Sequence, residues 1–410
     1  MGVFPAMADL LFLAHRMPYP PDKGDKIRSW HILRHLAERH RVHLGCFYDD
    51  SADERHIAEL EKVCASVKCL AIHPLLRRVK SLVALGSGQA MSVAYFRDER
   101  LMRWITETFA RWRPSEAFVF CSSMAPYLDG YRFGTSVIDM VDVDSEKWRQ
   151  YAETRSWPMK AIYRREARKL RQVEIAATHS FDYTLFASAP EASLFLKRAG
   201  RSISRVLAVR NGVDSDFFDP AHAGANPYPR DRKSIAFTGA MDYWPNVEAA
   251  QWFVAEVMPA LRHRYPAVDF WIVGAHPTAG LRRLARADVH VTGRVPDIRP
   301  YIAHADVIVA PLQIARGIQN KVLEGMAMAK PVIATPAALE GLDLQIGDEV
   351  LAASNGQKFA DAIAKIFDGE MAELGARARL RIVADYGWGA SLRVLDGLLA
   401  EPQQQLLATA

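Results

Sequence analysis

A chain of 410 residues exceeds what one ordinary core supports, so two domains are expected. Half of its residues are hydrophobic and 24% are charged, the balance of a folded globular protein rather than a disordered or fibrous one. The net charge of +5 permits anionic substrates or a membrane surface, but no long basic run or aromatic–basic motif points to nucleic acid.

The N-terminal stretch 1–13 lacks a basic n-region and is too short for an export signal. Met7 could serve as the start, since a first strand is already under way at Asp9. No apolar run approaches the roughly 18 residues of a membrane span. Cys46, Cys64, Cys69 and Cys121 have neither zinc-type nor C-x-x-C spacing and read as reduced thiols of a cytoplasmic protein. The Gln-rich end, 403–410, reads as a frayed tail.

Apolar strand-like runs recur through the first half at 10–14, 42–47, 67–72, 117–121, 136–141, 183–187 and 206–210. A long basic helix over 145–177, broken near Pro158, interrupts the series. The loop after the first strand, Arg16 to Arg28, opens a helix near Ser29. Its Gly24 permits close backbone approach, while Lys23, Lys26 and Arg28 supply charge for a phosphate or an acceptor. Asp139, Asp142, Asp144 and Glu146 cluster after the fifth run. Helix starts favour acidic residues, so a metal site is the lesser reading, and Asp142 or Asp144 could position an acceptor hydroxyl. His31 and His35 have zinc-type spacing but no third ligand, which makes them structural. Cations at Lys160, Arg164, Arg165, Arg168, Lys169 and Arg171 interleave with Ile162, Tyr163 and Leu170, and Arg77, Arg78 and Lys80 precede Leu82 and Val83. Basic amphipathic surface of this kind can rest on anionic lipid.

A proline-rich segment over 219–233 reads as the hinge. Beyond it, runs at 234–239, 269–274, 289–293, 306–312, 331–335 and 349–352 alternate with helical stretches at 246–263, 322–329 and 358–367. Strands that are apolar throughout and separated by helices predict a parallel sheet covered on both faces, hence a doubly wound α/β domain. The same rhythm in both halves predicts two facing doubly wound, Rossmann-like domains with a cleft between them. Boundaries are expected at 7–215, 216–380 and, for a last helix broken at Gly387 and crossing back to the first domain, 381–402.

Three loops follow strands of the second half. Thr238-Gly239-Ala240-Met241 turns backbone amides toward a ligand, with Asn246 as an N-cap. Gly293-Arg294-Val295-Pro296-Asp297 could line a base pocket, although Asp297 could equally cap a helix. The segment Ala315-Arg316-Gly317-Ile318-Gln319-Asn320-Lys321-Val322-Leu323-Glu324 is the most informative. It sets Lys321 and Glu324 three residues apart on one face of a helix start. A cation at a helix N-terminus suits phosphate, and a carboxylate one turn later suits sugar hydroxyls. Together they suit a nucleoside diphosphate.

These motifs, with Asn211-Gly212-Val213-Asp214 and Phe217 between the halves and Pro331-Val332-Ile333-Ala334-Thr335 after the helix, resemble GT-B glycosyltransferases. More narrowly, the chain is similar to the large retaining family that includes sucrose synthase and many bacterial mannosyltransferases. The runs Asp142 to Trp148 and Arg316 to Glu324 resemble sugar transferases associated with exosortase-linked exopolysaccharide loci. The resemblance implies a cytoplasmic enzyme, at or near the inner face of the membrane, with no tightly bound metal or other cofactor. Its substrates would be a nucleoside-diphosphate sugar and a glycan or polyprenyl-linked acceptor, joined with retention.

It also implies residue roles. Glu324 would bind the ribose, Lys321 would face the diphosphate, and Gly24 would meet donor and acceptor. Gly239, Ala240, Met241, Arg294, Gly317 and Asn320 would line the donor site. Two departures stand out. Arg316 replaces the glutamate that the broad family has eight residues before Glu324, and Met241 and Tyr243 lie where a basic pair is common. Arg316 could therefore join Lys321, with Asp142 and Asp144, in the catalytic set. A sugar-nucleotide epimerase of the same fold, or a sensor that binds the donor without turnover, are the competing readings.

Overall fold

The computed structural model describes residues 7–21, 24–73, 81, 84–86, 88–153, 155–200, 205–315 and 318–399. Lys23, Arg316, Gly317, the basic residues Arg77, Arg78 and Lys80 with Leu82 and Val83, and the end 403–410 lie outside the described residues.

The first sheet contains β1 (Ala8–Ala14), β2 (His40–Tyr48), β3 (Ser66–Ala71), β4 (Glu116–Phe120), β5 (Thr135–Val141), β6 (Tyr183–Phe186) and β7 (Val206–Ala208). All pairs are parallel, in the order β3-β2-β1-β4-β5-β6-β7. The second sheet contains β8 (Lys233–Thr238), β9 (Val268–Val273), β10 (Val289–Gly293), β11 (Val307–Ala310), β12 (Val332–Ala334) and β13 (Leu351–Ala352), in the order β10-β9-β8-β11-β12-β13. It too is parallel throughout. Both orders reverse direction beside the first strand, between β1 and β4 and between β8 and β11. Ligands of doubly wound sheets bind beyond the carboxyl ends of the strands at that point.

Burial on both faces explains the continuous apolar runs. Leu10, Leu11, Phe12, Leu13 and Ala14 of β1 are all fully buried, as are Ile235, Ala236 and Phe237 of β8. Phe47, Ile105, Val119 and Phe186 join the first core; Phe253, Phe270, Ile308 and Val322 join the second.

The chain divides into two compact units. One comprises everything up to Arg210 together with the segment from Leu392 onward, and the other is Asn211–Ser391. The division thus falls ahead of the proline-rich segment 219–233, which lies wholly within the second unit. Asn211 to Asp214 instead pack on the Tyr386-Gly387-Trp388 turn: Val213 N donates to Tyr386 O at 2.8 Å and Trp388 N to Val213 O at 3.3 Å. A Cβ on Gly212 would lie 2.5 Å from Trp388 N, so this close crossing requires glycine. The Trp388–Leu398 helix begins in the second unit and ends in the first. There Asp396 Oδ1 meets His35 Nε2 at 2.7 Å, which gives His35 its structural role.

Two helices differ from expectation. The helix after β1 begins at Gly24 rather than near Ser29, whose hydroxyl donates back to Asp25 O at 2.9 Å from inside the first turns. The 246–263 stretch divides into Trp244–Glu256 and Met258–Arg264, because Pro259 has no N–H to continue the ladder. The basic helix breaks as expected around Pro158, into Asp144–Glu153 and Met159–Ser180.

Candidate functional site

In the second unit, two glycines set the floor of the switch point. Gly239 follows β8 with φ 154° and Gly274 follows β9 with φ 155°. A Cβ on Gly274 would fall 1.7 Å from Gly239 O, so the two backbones touch where any side chain would separate them. A Cβ on Gly239 would lie 2.7 Å from Asn246 Nδ2.

Asn246 is not the N-cap expected of it. It lies inside the first turn of the Trp244–Glu256 helix, buried, and its side chain bridges two parts of the site. Nδ2 donates to Ala240 O at 2.9 Å, and Oδ1 accepts from Lys321 Nζ at 2.8 Å. The glycine loop and the lysine are therefore joined through one amide.

Lys321 is the second residue of the Asn320–Ala327 helix and only 9% exposed. Its ammonium also lies over the Phe237 ring, 5.3 Å from the centroid. Burial pulls it down to about 8, with the Glu324 carboxylate acting the other way. Glu324 is half-buried on the same helix face. Burial pushes it up to about 7, opposed by Lys321. Gln319, at the N-cap, makes no side-chain capping bond, Asn320 is exposed, and Val322 N donates to Gln319 O at 3.0 Å. A cation in the first turn of a helix is the arrangement that suits an anion. The Thr238 hydroxyl, buried at the last residue of β8, has no hydrogen-bond partner among the described residues.

The other donor-side candidates divide. Ala240 and Arg294 are exposed, Arg294 directly after Gly293 with φ 71°. Met241 is not a surface contact: its side chain is fully buried in the core and its N–H donates to Ala275 O at 2.8 Å. Asp297 accepts from Arg299 N at 2.9 Å and so holds the turn before the Arg299–His304 helix.

In the first unit the structure corrects the phosphate loop. Lys26 is 4% exposed and donates to Asp53 at 2.9 Å; Arg28 is fully buried and its Nε donates to Asp139 at 2.7 Å. Burial raises the Asp139 carboxyl while the Arg28 guanidinium pulls it down. These cations are held inside the fold, so they are not available to a ligand's phosphate as expected. Gly24 is exposed, with nothing within 4 Å of a Cβ there.

The carboxylate cluster is likewise shared out among cations. Asp142 and Asp144 both take Lys147 Nζ, at 2.8 and 3.2 Å, and Glu146 takes Arg149 and Arg198. Asp142 and Asp144 are half-buried. Sequence reasoning missed His15, which follows β1 at the switch point. Its ring stacks on Phe120 at 5.9 Å, Nε2 lies 3.6 Å from Asp25, and its buried Nδ1 has no partner among the described residues. Burial opposes ionisation of Asp25, but the neighbouring His15 ring and the Arg16 guanidinium outweigh it and hold the carboxyl far below its usual range. A lone histidine after a strand carries no sequence signal; only the fold pairs it with Asp25.

Residues 232–368, the strand-to-helix span that carries Gly239, Asn246, Lys321 and Glu324, match the model of the family described as glycosyl transferases group 1. The second domain is a glycosyltransferase domain. Among solved structures, HepE of Anabaena in complex with UDP is 16% identical with a TM-score of 0.64, over 96% of this chain and 99% of that one. Sucrose-phosphate synthase of Thermosynechococcus elongatus is 17% identical with a TM-score of 0.63, over 98% of this chain and 100% of that one. WaaG, a glycosyltransferase involved in lipopolysaccharide biosynthesis, is 15% identical with a TM-score of 0.61, over 96% of this chain and 100% of that one. At these identities the likeness shows the fold, which is GT-B. No curated protein matches the chain. Among the described residues, no helix is long and apolar enough to cross a membrane.

Proposed function

We propose that the chain transfers a sugar, with retention, from a nucleoside-diphosphate sugar to a glycan or polyprenyl-linked acceptor during exopolysaccharide assembly. The single observation that carries the donor side is Lys321: a buried ammonium fixed by Asn246 beside the Gly239 loop, in the first turn of the Asn320–Ala327 helix. Departure of a diphosphate places negative charge where Lys321 and the helix amides are already oriented, and preorganised charge of this kind lowers the barrier. Ionised Glu324, one turn along, accepts hydrogen bonds from the ribose. Gly239 and Gly274 let backbone approach the diphosphate closely. Arg316, outside the described residues, adds charge from the loop before the helix, and Arg294 borders the base. Asp142 and Asp144 orient the acceptor hydroxyl.

The HepE structures with UDP and with UDP-glucose support a nucleotide-sugar donor, with UDP the first base to try. WaaG's involvement in lipopolysaccharide biosynthesis makes a lipid-linked glycan the acceptor class to try first. The exposed basic face of the Met159–Ser180 helix is the feature that favours a peripheral place at the inner face of the cell membrane. On this reading the unit up to Arg210, with the segment from Leu392, takes the acceptor, and Asn211–Ser391 takes the donor.

The test is a thermal-shift screen of UDP-, GDP- and ADP-sugars, followed by product analysis with the nucleotide that stabilises. A saturating ligand at 100 times its dissociation constant adds about 2.7 kcal/mol. Release of nucleoside diphosphate with a lengthened acceptor supports transfer. A changed sugar in solution with no extended acceptor would assign an epimerase, and binding without turnover a sensor.

A further inference from the structure

We propose that the outer face of the Met159–Ser180 helix, with the turn before it, is a docking surface for an anionic lipid bilayer. The inference deepens the membrane contact proposed above and rests on that reading. What it adds is the surface itself, including apolar residues that the sequence did not single out.

The helix carries two acids and six cations between Met159 and Ser180. Both acids turn inward and are consumed there. Glu166 is fully buried and accepts from Met91 N, Ser92 N and Ser92 Oγ at 2.7, 2.9 and 2.8 Å. Glu174, also buried, accepts from Ser145 N at 2.9 Å and Ser145 Oγ at 2.6 Å. The outward face is therefore left without a carboxylate of its own helix. Arg164, Arg168 and Arg171 are exposed along it, at the i, i+4, i+7 spacing that lines up one stripe. Arg171 is tied to Arg198 O and the half-buried Arg165 to Ala84 O. Lys160, Arg164, Arg168 and Lys169 make no ion pair among the described residues.

Apolar groups stand exposed at the N-terminal end of the same helix. Trp157 is 82% exposed, Tyr151 55% and Met159 40%, all at the junction of the Asp144–Glu153 and Met159–Ser180 helices, which pack on each other. Trp157 is the most exposed large hydrophobic residue described. Cations alone would suit any polyanion. Trp and Tyr beside Met need in addition an apolar phase with a wet boundary, and the headgroup region of a bilayer supplies both.

The experiment is sedimentation of the full chain with phosphatidylcholine vesicles, with and without phosphatidylglycerol, in the absence of nucleotide. Wild type should bind the anionic vesicles and release as salt rises. Arg164→Gln with Arg168→Gln should weaken binding about 25-fold, from roughly fivefold per cation at an anionic surface. Trp157→Ser should weaken it too, with the thermal transition unchanged in both variants because these side chains are exposed. If wild type binds and both variants bind equally well, the membrane reading survives and this surface is wrong. If wild type binds neither vesicle, both are overturned. Capture by soluble dextran sulfate that Trp157→Ser leaves intact, without vesicle binding, would assign the face to a polyanion instead.

Discussion

Lys321→Met separates a functional lysine from a structural one, because the two roles predict opposite signs. The fall from 10.5 to about 8 means the folded chain gives up about 3 kcal/mol to keep this ammonium charged. Methionine fills a similar volume with no charge, so that loss is recovered. Against it stands the Asn246 carbonyl, which loses its Nζ donor at 2.8 Å; an unsatisfied buried acceptor costs about 1–3 kcal/mol. The apo variant should therefore match wild type or gain up to about 2 kcal/mol, a rise of at most about 8 °C for a domain of this size. The donor response should move the other way. Losing one charge-assisted bond to the diphosphate costs about 1.5–3 kcal/mol, or 10- to 100-fold in affinity. At a concentration 100 times the wild-type dissociation constant, nucleotide stabilisation should drop from about 2.7 to below about 1.4 kcal/mol. Thermal scans of both proteins with and without the stabilising nucleotide read both quantities at once. A variant that loses more than about 2 kcal/mol without ligand, yet keeps the full nucleotide response, would show that Lys321 holds the fold and not the donor.

Nucleotide affinity should fall above pH 8, by about tenfold per unit, because the complex keeps Lys321 protonated while the free site releases its proton near 8. Calorimetry at pH 7 and 9 in buffers of different ionisation enthalpy would register proton uptake on binding; none at pH 9 contradicts the assignment. Asn246→Ala should weaken nucleotide binding at least tenfold by freeing both the glycine loop and Lys321, and an unchanged dissociation constant would remove the bridge from the site. Gly274→Ala should fail to fold as a soluble chain, since its Cβ lands 1.7 Å from Gly239 O, and a soluble variant with a normal melting transition refutes that packing. Asp139→Ala, which leaves the Arg28 charge buried alone, should cost about 3–5 kcal/mol in denaturant melts without changing nucleotide affinity.

The architecture was legible because parallel strands buried on both faces must be apolar from end to end. Every run expected to be a strand is one, from β1 through β13, although β7 and β13 are shorter than their apolar stretches. That Lys321 and Glu324 share one helix face was legible from their spacing alone. Asn246 was misread because Asn near a helix start resembles a cap; only the fold brings its amide to a lysine 75 residues later. Lys26 and Arg28 were misread for a related reason. A basic loop after a first strand looks the same in sequence whether its partners are phosphates or, as here, Asp53 and Asp139 supplied by distant segments.

That contrast is how the proposed reading lets a chain of mild net charge handle anions in one place and rest on them in another. In the first domain, the interior cations named above are matched to a carboxylate at hydrogen-bond distance, Lys26 to Asp53 and Arg28 to Asp139, so their field is cancelled locally. The unmatched charge of that domain's long helix is left outside, where water screens it and only a dense anionic surface would feel it. In the second domain the order is reversed. Lys321 is buried against a neutral amide and an aromatic ring, and its acidic neighbour Glu324 is itself pushed up to about 7. A cation held this way in low dielectric costs stability in the empty protein and recovers it when a diphosphate arrives. On the proposed reading the energetic penalty at Lys321 is thus the feature most directly tied to donor binding, and the carboxylate-paired cations of the first domain, for all their burial, are the ones least suited to it.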